Sequence, residues 1–258
     1  MYALLSPAKR LDLAPFPAPP TTLPDLLEDS EALVKKARTL SKKKLSELMK
    51  ISDSLAELNK ERFESWSAPF TPDNAKAAAL SFAGDTYVGL DATTLSEEDL
   101  LWAQDRVGIL SGLYGVLRPL DLIQPYRLEM GTSLPTRRGK NLYAFWGDRL
   151  TTLINERLAD HPDNTVINLA SKEYFTAVKP KLLTGAVVTP SFKEIKDGKA
   201  KVIGFMAKKA RGMMARHIIQ NRLESPEDLK AFTTGGYQFQ PDQSDEQTWV
   251  FTRPSTTA

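Results

Sequence analysis

The sequence predicts one α/β domain of mixed α+β type, in which a central mixed sheet is covered by helices. Short apolar runs alternate with amphipathic helical patterns along the chain, and no internal repeat or long linker divides it. The chain has 258 residues, of which 41% are hydrophobic, and this is enough to bury a substantial core. We therefore interpret residues 1–258 as a single domain.

Strands are predicted where short runs of apolar residues occur. "YALLS" (2–6) reads as a short buried strand that ends in a loop, and "TVINLA" (165–170) gives a second buried strand. "AVVTPSFKEI" and "KAKVIGFMA" flank Asp197-Gly198, a pair typical of a two-residue hairpin turn. "DTYVGL" (85–90) is also interpreted as a strand.

Helices are predicted between these strands. The stretch from residue 25 to about residue 66 is helical with interruptions. Ser96 and Asp99 resemble a capping box before "LLWAQDRVGIL" (100–110), in which apolar residues recur at helical spacing up to residue 110. "FMAKKARGMMARHIIQNRL" (205–223) is a helix that packs its methionines inward and presents a basic face.

Composition excludes several classes of protein. The chain contains no cysteine, which rules out disulfides, thiolate metal sites and a cysteine nucleophile. No stretch approaches the roughly 20 apolar residues of a membrane span, and the N-terminus lacks the features of a signal peptide. We expect a cytoplasmic protein without a metal, a cofactor or catalytic residues.

Two local excesses of positive charge stand out in a chain whose net charge is only +2. Residues 35–50 hold seven lysines and arginines against one glutamate, and residues 193–222 hold nine against two acidic residues. Such clusters favour contact with a polyanion. The alternative is that they form ordinary solvated helix faces.

The first basic cluster leads into a predicted helical hairpin. In "LSKKKLSELMKISDSLAELN" (40–59), Ser41 caps one helix, a tight break follows at residues 50–52, and Asp53 begins a second helix. Two helices joined in this way can offer backbone N–H groups and lysines to a phosphate. The two glycines usual in a helix-hairpin-helix motif are absent, so an ordinary helical hairpin remains the alternative.

A segment rich in glycine and proline, "SGLYGVLRPLDLIQPYRLEMG" (111–131), carries charges that can face one another. Arg118 and Arg127 can hold a phosphate in a bidentate manner, and Tyr114 and Tyr126 can stack on bases. The alternative is that the arginines pair with carboxylates and stiffen the segment. The segment alone leaves both roles open.

Polar residues also follow the ends of two predicted strands. Ser6 and Lys9 follow the first strand, and Ser171 and Lys172 follow "VINLA". Polar groups at such positions often line ligand clefts in α/β sheets, and Ser171 is also placed to cap the helix that starts at Lys172.

Six stretches together resemble the bacterial YaaA family of peroxide stress resistance proteins, and they run in order along nearly the whole chain. They are "LLSPAK", "LMKISDSLAELN", the segment 111–131, "FWGD", "INLASKEYF" and "KKARGMMARHIIQNRL". The resemblance implies a cytoplasmic protein that aids survival of hydrogen peroxide, with lowered free iron and less oxidative DNA damage. It also implies a single α/β domain with a basic cleft, a helix-hairpin-helix element and binding of double-stranded DNA.

We carry the helix-hairpin-helix element over to residues 41–59 and expect binding to duplex DNA that is largely independent of sequence. The tail, residues 241–258, carries no family motif and is expected to be flexible. The residues that we expect to contact DNA are Lys9, Lys42, Lys43, Lys44, Lys50, Arg118, Arg127, Lys172, Lys208, Lys209, Arg211 and Arg216.

Two other functions stay open at this point. One is an enzyme that acts on a nucleotide or another small phosphorylated substrate, with Glu129 or Glu173 as general base beside Ser6, Asp121, Ser171 and Tyr174. No familiar catalytic motif supports it, whereas a closed pocket with convergent polar groups would favour it. The other is iron sequestration, for which His161 and His217 are the only histidines.

Overall fold

The structure is a computed structural model that describes residues 1–17 and 19–255. Its α-helices lie mostly in two groups, before residue 104 and after residue 141. Within the described residues, the helices are α1 Leu27–Arg38, α2 Lys42–Met49, α3 Asp53–Ser65, α4 Ala78–Ser81, α5 Asp85–Leu90, α6 Glu97–Ala103, α7 Leu142–Trp146, α8 Arg149–Leu158, α9 Lys172–Phe175 and α10 Gly204–Gln220.

The strands range from two to ten residues in length. They are β1 Tyr2–Leu5, β2 Arg10–Leu11, β3 Lys76–Ala77, β4 Phe82–Ala83, β5 Val107–Ser111, β6 Gly115–Leu117, β7 Leu122–Ile123, β8 Val166–Leu169, β9 Val187–Lys196, β10 Lys199–Lys201, β11 Gln238–Phe239 and β12 Thr248–Pro254.

One mixed sheet forms the centre of the molecule, in the order β11-β12-β9-β8-β1-β5-β6, with β10 also paired to β9. Strands β12, β9, β8, β1 and β5 run parallel, and β6, β10 and β11 pair antiparallel at its margins. The middle strands β1, β5 and β8 are buried along their whole length, as parallel strands covered on both faces are. The predicted single domain with a mixed sheet and flanking helices is confirmed.

Helices α5 and α10 pack against each other through two glycines. A Cβ atom on Gly212 would lie 1.8 Å from the carbonyl oxygen of Thr86, and one on Gly89 would lie 2.0 Å from that of Lys209. The missing side chains therefore let the two helix backbones approach closely. This contact holds the N-terminal half of α10 next to the start of α5.

The segment 111–131 is not a surface loop. Most of its residues are buried, and Trp146 donates a hydrogen bond from its indole N–H to the Gly112 carbonyl oxygen, at 3.1 Å. The hydroxyl groups of Ser111 and Tyr126 lie 2.6 Å apart, and Tyr114 donates to the Gln124 carbonyl oxygen at 3.2 Å. Contrary to the expectation from its glycines and prolines, part of the segment forms the strands β6 and β7, and these side-chain hydrogen bonds hold the stretches between the strands.

Three local predictions differ from the structure. "DTYVGL" is the helix α5 and not a strand, because close packing of Gly89 against α10 outweighs the strand propensity of its threonine, tyrosine and valine. The helix predicted to reach residue 110 ends at Ala103, and Val107 begins the buried strand β5. In the tail expected to be flexible, residues 248–254 form β12 beside β9, while residues 256–258 lie outside the described residues.

A buried ion pair explains why this C-terminal strand is ordered. Arg253 on β12 donates from Nε to both carboxylate oxygens of Glu194 on β9, each at 2.9 Å. Tyr237 donates to the same carboxylate at 2.5 Å. Trp249 and Phe251 of β12 are buried as well, so apolar packing and a satisfied buried charge hold the strand in place.

Candidate functional site

A cavity of about 510 Å³ opens at the carboxyl ends of the parallel strands β1 and β8. We call it the polar cleft. This edge of a parallel sheet is where α/β proteins commonly bind ligands. The residues that line the polar cleft are Ser6, Pro7, Ala8, Lys9, Arg10, Ala83, Gly84, Asp85, Thr86, Tyr87, Glu129, Leu169, Ser171, Glu173, Tyr174, Lys208 and Arg211.

Ser6 and Ser171 join the two strand ends at the floor of the polar cleft. The backbone N–H of Ser171 donates to Ser6 Oγ at 2.8 Å, and the two hydroxyl oxygens lie 3.4 Å apart. Helix α9 begins at Lys172, as predicted, but the Ser171 side chain makes no capping hydrogen bond. Its role is therefore to link the strand ends rather than to cap α9.

The polar cleft carries charges of both signs, where a basic cleft was expected. Its cations are Lys9, Arg10, Lys208 and Arg211, and its acidic residues are Asp85, Glu129 and Glu173. Mixed charge suits a ligand that has more than one kind of polar group, whereas a groove for duplex phosphates needs mainly cations.

Glu129 is the most constrained of these carboxylates. Arg127 Nε donates to its Oε1 at 3.1 Å, and Lys9 Nζ lies 3.5 Å from the same oxygen. Its other oxygen, Oε2, is buried and has no hydrogen-bond partner among residues 1–17 and 19–255. Segment 111–131 therefore contributes a wall of the polar cleft through Glu129.

Glu173 and two tyrosines complete the same side of the polar cleft. Glu173 Oε1 accepts from the Gly131 backbone N–H at 2.9 Å. Tyr87 donates to the Ser6 carbonyl oxygen at 3.0 Å. Burial raises the pKa of Tyr87 and of Tyr174 well above that of an exposed tyrosine, so both stay neutral at physiological pH.

Helix α10 supplies Lys208 and Arg211 to the polar cleft. Arg211 makes no hydrogen bond or ion pair within the part of the chain that the structure describes, and its Nε is buried. Burial lowers the pKa of Arg211 below its ordinary value. A guanidinium group that is desolvated without a counter-charge is unusual, since buried charges are normally paired.

Of the twelve residues expected to contact DNA, five form ion pairs within the protein. Arg118 binds Asp121 at 3.1 Å and Asp25 at 3.3 Å and does not line the polar cleft. The other pairs join Lys9 and Arg127 to Glu129, Lys42 to Glu57, and Arg216 to Asp91. Arg216 also donates to the carbonyl oxygens of Leu90 and Asp91, at 3.0 and 2.7 Å.

The remaining seven have no acidic partner within 4 Å among the described residues. They are Lys43, Lys44, Lys50, Lys172, Lys208, Lys209 and Arg211, and all except Arg211 are exposed. Three of them lie on α2 or immediately after it, and three lie on α10. The two basic clusters of the sequence thus supply most of the cations left free for a partner.

Residues 42–65 form two helices, α2 and α3, joined by a three-residue connection, which is a helical hairpin. Ser41 accepts from the Lys44 N–H at 3.3 Å and Ser52 from the Leu55 N–H at 3.4 Å, so both helix starts are capped. Lys50 has φ 52° and ψ 53°, the left-handed conformation that glycine usually takes after a helix. The helices α2 and α3 are also joined by the Lys42–Glu57 ion pair.

Sequence reasoning missed three charged residues near these surfaces. Arg10 on β2 and Asp85 at the first position of α5 line the polar cleft. Neither the strand β2 nor the helix α5 was predicted from the sequence. Arg62 on α3 has its pKa lowered by burial and by the positive charge of Arg127, so these two cations lie near each other. No periodicity signal marks such positions, because they depend on how distant segments meet.

The two tyrosines expected to stack on bases are unavailable for that role. Tyr114 and Tyr126 are buried, and their rings contact each other edge to face with centroids 5.2 Å apart. His217 is partly buried and packs edge to face on Phe232, with ring centroids 5.4 Å apart. Within the described ranges there is no cluster of three acidic or histidine side chains that could hold a metal ion.

The fold and site define a mixed α/β protein with a polar cleft at the ends of parallel strands and a lysine-rich helical hairpin. Residues 1–243 match the family model described as peroxide stress protein YaaA. The chain therefore belongs to the YaaA family of peroxide stress proteins. In the part that the structure describes, no helix is both long and apolar enough to cross a membrane.

Curated relatives are similar over almost the whole chain. A UPF0246 protein of Magnetococcus marinus is 57% identical over 254 residues, which cover 98% of this chain and 99% of the relative. UPF0246 proteins of Azoarcus sp. and Saccharophagus degradans are each 54% identical, with the same coverage. The predicted family is thus confirmed.

Proposed function

We propose that this chain is a cytoplasmic protein that binds double-stranded DNA without sequence preference and so limits iron-driven oxidative damage to it. The observation that carries the proposal is the set of exposed lysines without acidic partners among the described residues of the hairpin and of α10: Lys43, Lys44, Lys50, Lys208 and Lys209. Lysines that are not neutralised internally are free to replace the counterions of a phosphate backbone.

The helical hairpin is the first part of the proposed surface. The Ser41 cap leaves Lys42, Lys43 and Lys44 in the first turn of α2, where the helix N-terminus also favours an anion. Lys42 is held by Glu57, so Lys43 and Lys44 are the free cations of this turn. Lys50 adds a further exposed charge at the other end of α2.

Arg62 and Arg127 extend the positive charge from the hairpin toward the polar cleft. Arg62 belongs to α3 of the hairpin and has no acidic partner among the described residues, while Arg127 is bound to Glu129 at the rim of the polar cleft. Because Arg62 is not neutralised within the described residues, it leaves positive charge beside the Arg127–Glu129 pair that can attract an anion.

Neutralisation of the hairpin lysines tests the proposal. We expect Lys43→Gln/Lys44→Gln to weaken duplex binding in fluorescence anisotropy and to reduce the slope of log K against log salt by about 1 for each phosphate that is no longer neutralised. The matched control is Lys196→Gln/Lys199→Gln, which removes the same charge at the β9–β10 hairpin, far along the chain from α2. Equal weakening in both variants would contradict a role for the helical hairpin.

A further inference from the structure

Two of the buried polar atoms that lack a partner within the described ranges belong to residues of the polar cleft. They are Glu129 Oε2 and Arg211 Nε, and the other two such atoms, in Asn59 and Arg106, belong to residues that do not line it. A buried donor or acceptor without a partner is costly, so it is retained where a ligand supplies the partner. A ligand of the polar cleft must therefore offer a hydrogen-bond donor to Glu129 Oε2 and an acceptor to Arg211 Nε.

Arg211 requires an anionic group. It lies one helical turn after Lys208 on α10, and Lys9 and Arg10 line the same cavity. A guanidinium group presents its N–H groups in a planar fork that matches phosphate or carboxylate oxygens. Three of these four cations, Arg10, Lys208 and Arg211, have no acidic partner within 4 Å among the described residues, which favours a phosphate dianion over a single carboxylate.

Glu129 requires a hydrogen-bond donor. An ionised carboxylate only accepts hydrogen bonds, and Oε1 is already bound by Arg127 and lies near Lys9. Its free oxygen, Oε2, therefore calls for an N–H or O–H donor on the ligand, and the N–H groups of a nucleobase are of this kind. A ligand with a phosphate at one end and an N–H group at the other satisfies both orphan atoms.

We propose that the polar cleft binds a nucleoside monophosphate, with its phosphate on Arg211 and Lys208 and an N–H group of its base on Glu129. The volume of about 510 Å³ lies in the range of small-molecule sites, and Tyr87 and Tyr174 add aromatic walls. Lys208 belongs both to this ligand site and to the proposed duplex surface, but the two atoms that define the ligand site, in Glu129 and Arg211, are not on the helical hairpin.

Isothermal titration calorimetry with AMP, adenosine and inorganic phosphate tests this site. We expect wild-type protein to bind AMP more tightly than it binds adenosine or phosphate. Arg211→Met weakens AMP binding by about tenfold or more and leaves adenosine binding unchanged, because only the charged hydrogen bond to phosphate is removed. Glu129→Gln weakens AMP and adenosine binding but does not weaken phosphate binding, because it removes a negative charge from the cavity.

Lys209→Met is the matched control, since Lys209 is exposed on α10 and does not line the polar cleft. It retains wild-type AMP affinity, and thermal unfolding confirms that each variant is folded. The proposal is overturned if AMP does not bind at millimolar concentration, or if Arg211→Met binds AMP as wild type does. Binding of single-stranded oligoadenylate through Arg211 without AMP binding also overturns it, because the site would then belong to a nucleic-acid surface.

These results are separable from those on duplex DNA. A failure of AMP to bind leaves the effect of Lys43→Gln/Lys44→Gln on duplex affinity untouched. Conversely, AMP binding that depends on Arg211 stands even if the hairpin variants bind duplex as wild type does.

Discussion

His161 is held in its neutral form by two neighbours with opposite hydrogen-bonding roles. Its Nδ1 lies 3.0 Å from the Met1 carbonyl oxygen, which only accepts, so Nδ1 carries the proton. Its Nε2 lies 3.1 Å from Arg106 Nη1, which only donates, so Nε2 must remain unprotonated. Burial, the charge of Arg106 and the N-terminal ammonium group lower the pKa of His161.

This arrangement predicts that folding stability depends on pH near neutrality. The folded pKa of His161 lies below the unfolded value of about 6.5, so the stabilisation is complete above that value. It is lost as the pH falls through the folded pKa, because the unfolded chain binds the proton more readily. Burial also lowers the pKa of His217, which adds to the effect.

Urea denaturation at pH 5.5, 6.5 and 7.5 measures this dependence. We expect the free energy of unfolding of the wild type to fall with decreasing pH and the dependence to be shallower in His161→Gln. His217→Gln serves as the comparison, since burial alone lowers the pKa of that imidazole. An identical pH dependence in wild type and His161→Gln would contradict the account.

At the same scale, only part of the candidate site follows from the sequence. Ser6, Lys9, Ser171 and Glu173 were predicted because polar residues directly follow buried strands there. The unpaired state of Arg211 was not predictable, because it depends on which carboxylates the fold brings near α10. Arg118 shows the converse, since only the fold reveals that Asp25, distant in sequence, neutralises it.

At the scale of elements, the contact between α5 and α10 depends on the absence of a side chain at Gly212. Glycine in a helix interior is normally destabilising by roughly 0.5–1 kcal/mol relative to alanine. Here a Cβ atom would lie 1.8 Å from a backbone carbonyl oxygen of Thr86, which cannot move without shifting α5.

We therefore expect Gly212→Ala to destabilise the protein by about 1–3 kcal/mol, the usual cost of overpacking, despite its better helix propensity. Gly204→Ala is the control, because Gly204 begins the same helix and nothing lies within 4 Å of its added Cβ atom. Thermal and urea unfolding of both variants measure the difference. Equal stability of the two would show that the helices do not pack this closely.

Lys50 links the conformation of the hairpin to its charge. Its left-handed backbone is strained for a residue with a side chain, so Lys50→Gly relieves strain. We expect Lys50→Gly to be more stable than Lys50→Ala by about 1 kcal/mol in urea unfolding. Both variants lose the positive charge of Lys50. If both bind duplex DNA equally weakly, the loss of affinity is due to that charge alone. Equal free energies of unfolding would contradict strain at Lys50.

The limits of the sequence patterns also appear at this scale. The helices α1, α2 and α3 and the turn at Asp197-Gly198 were predicted because caps and local spacing determine them. The strand β5 was missed because Val107 and Leu110 fit helical spacing as well as a short buried strand. Pairing with β1, near the N-terminus, decides that these residues form a strand and not a helix.

For the whole molecule, the overall class and the family followed from the sequence, while the distribution of function between two surfaces did not. The two basic clusters were visible as charge excesses, but which lysines stay unpaired depends on tertiary contacts such as Lys42 with Glu57. In our account, the hairpin and the exposed part of α10 bind duplex DNA, and the polar cleft binds a small phosphorylated ligand.

The most direct test of duplex binding is a salt titration of the wild-type protein on two duplexes of unrelated sequence. We expect log K to fall linearly with log salt, with a slope of about −0.9 for each phosphate contacted, and the same slope for both duplexes. The five free lysines of the proposed surface alone account for a slope of about −4.5. No binding at low salt, affinity independent of salt, or strong preference for one sequence would contradict the central claim.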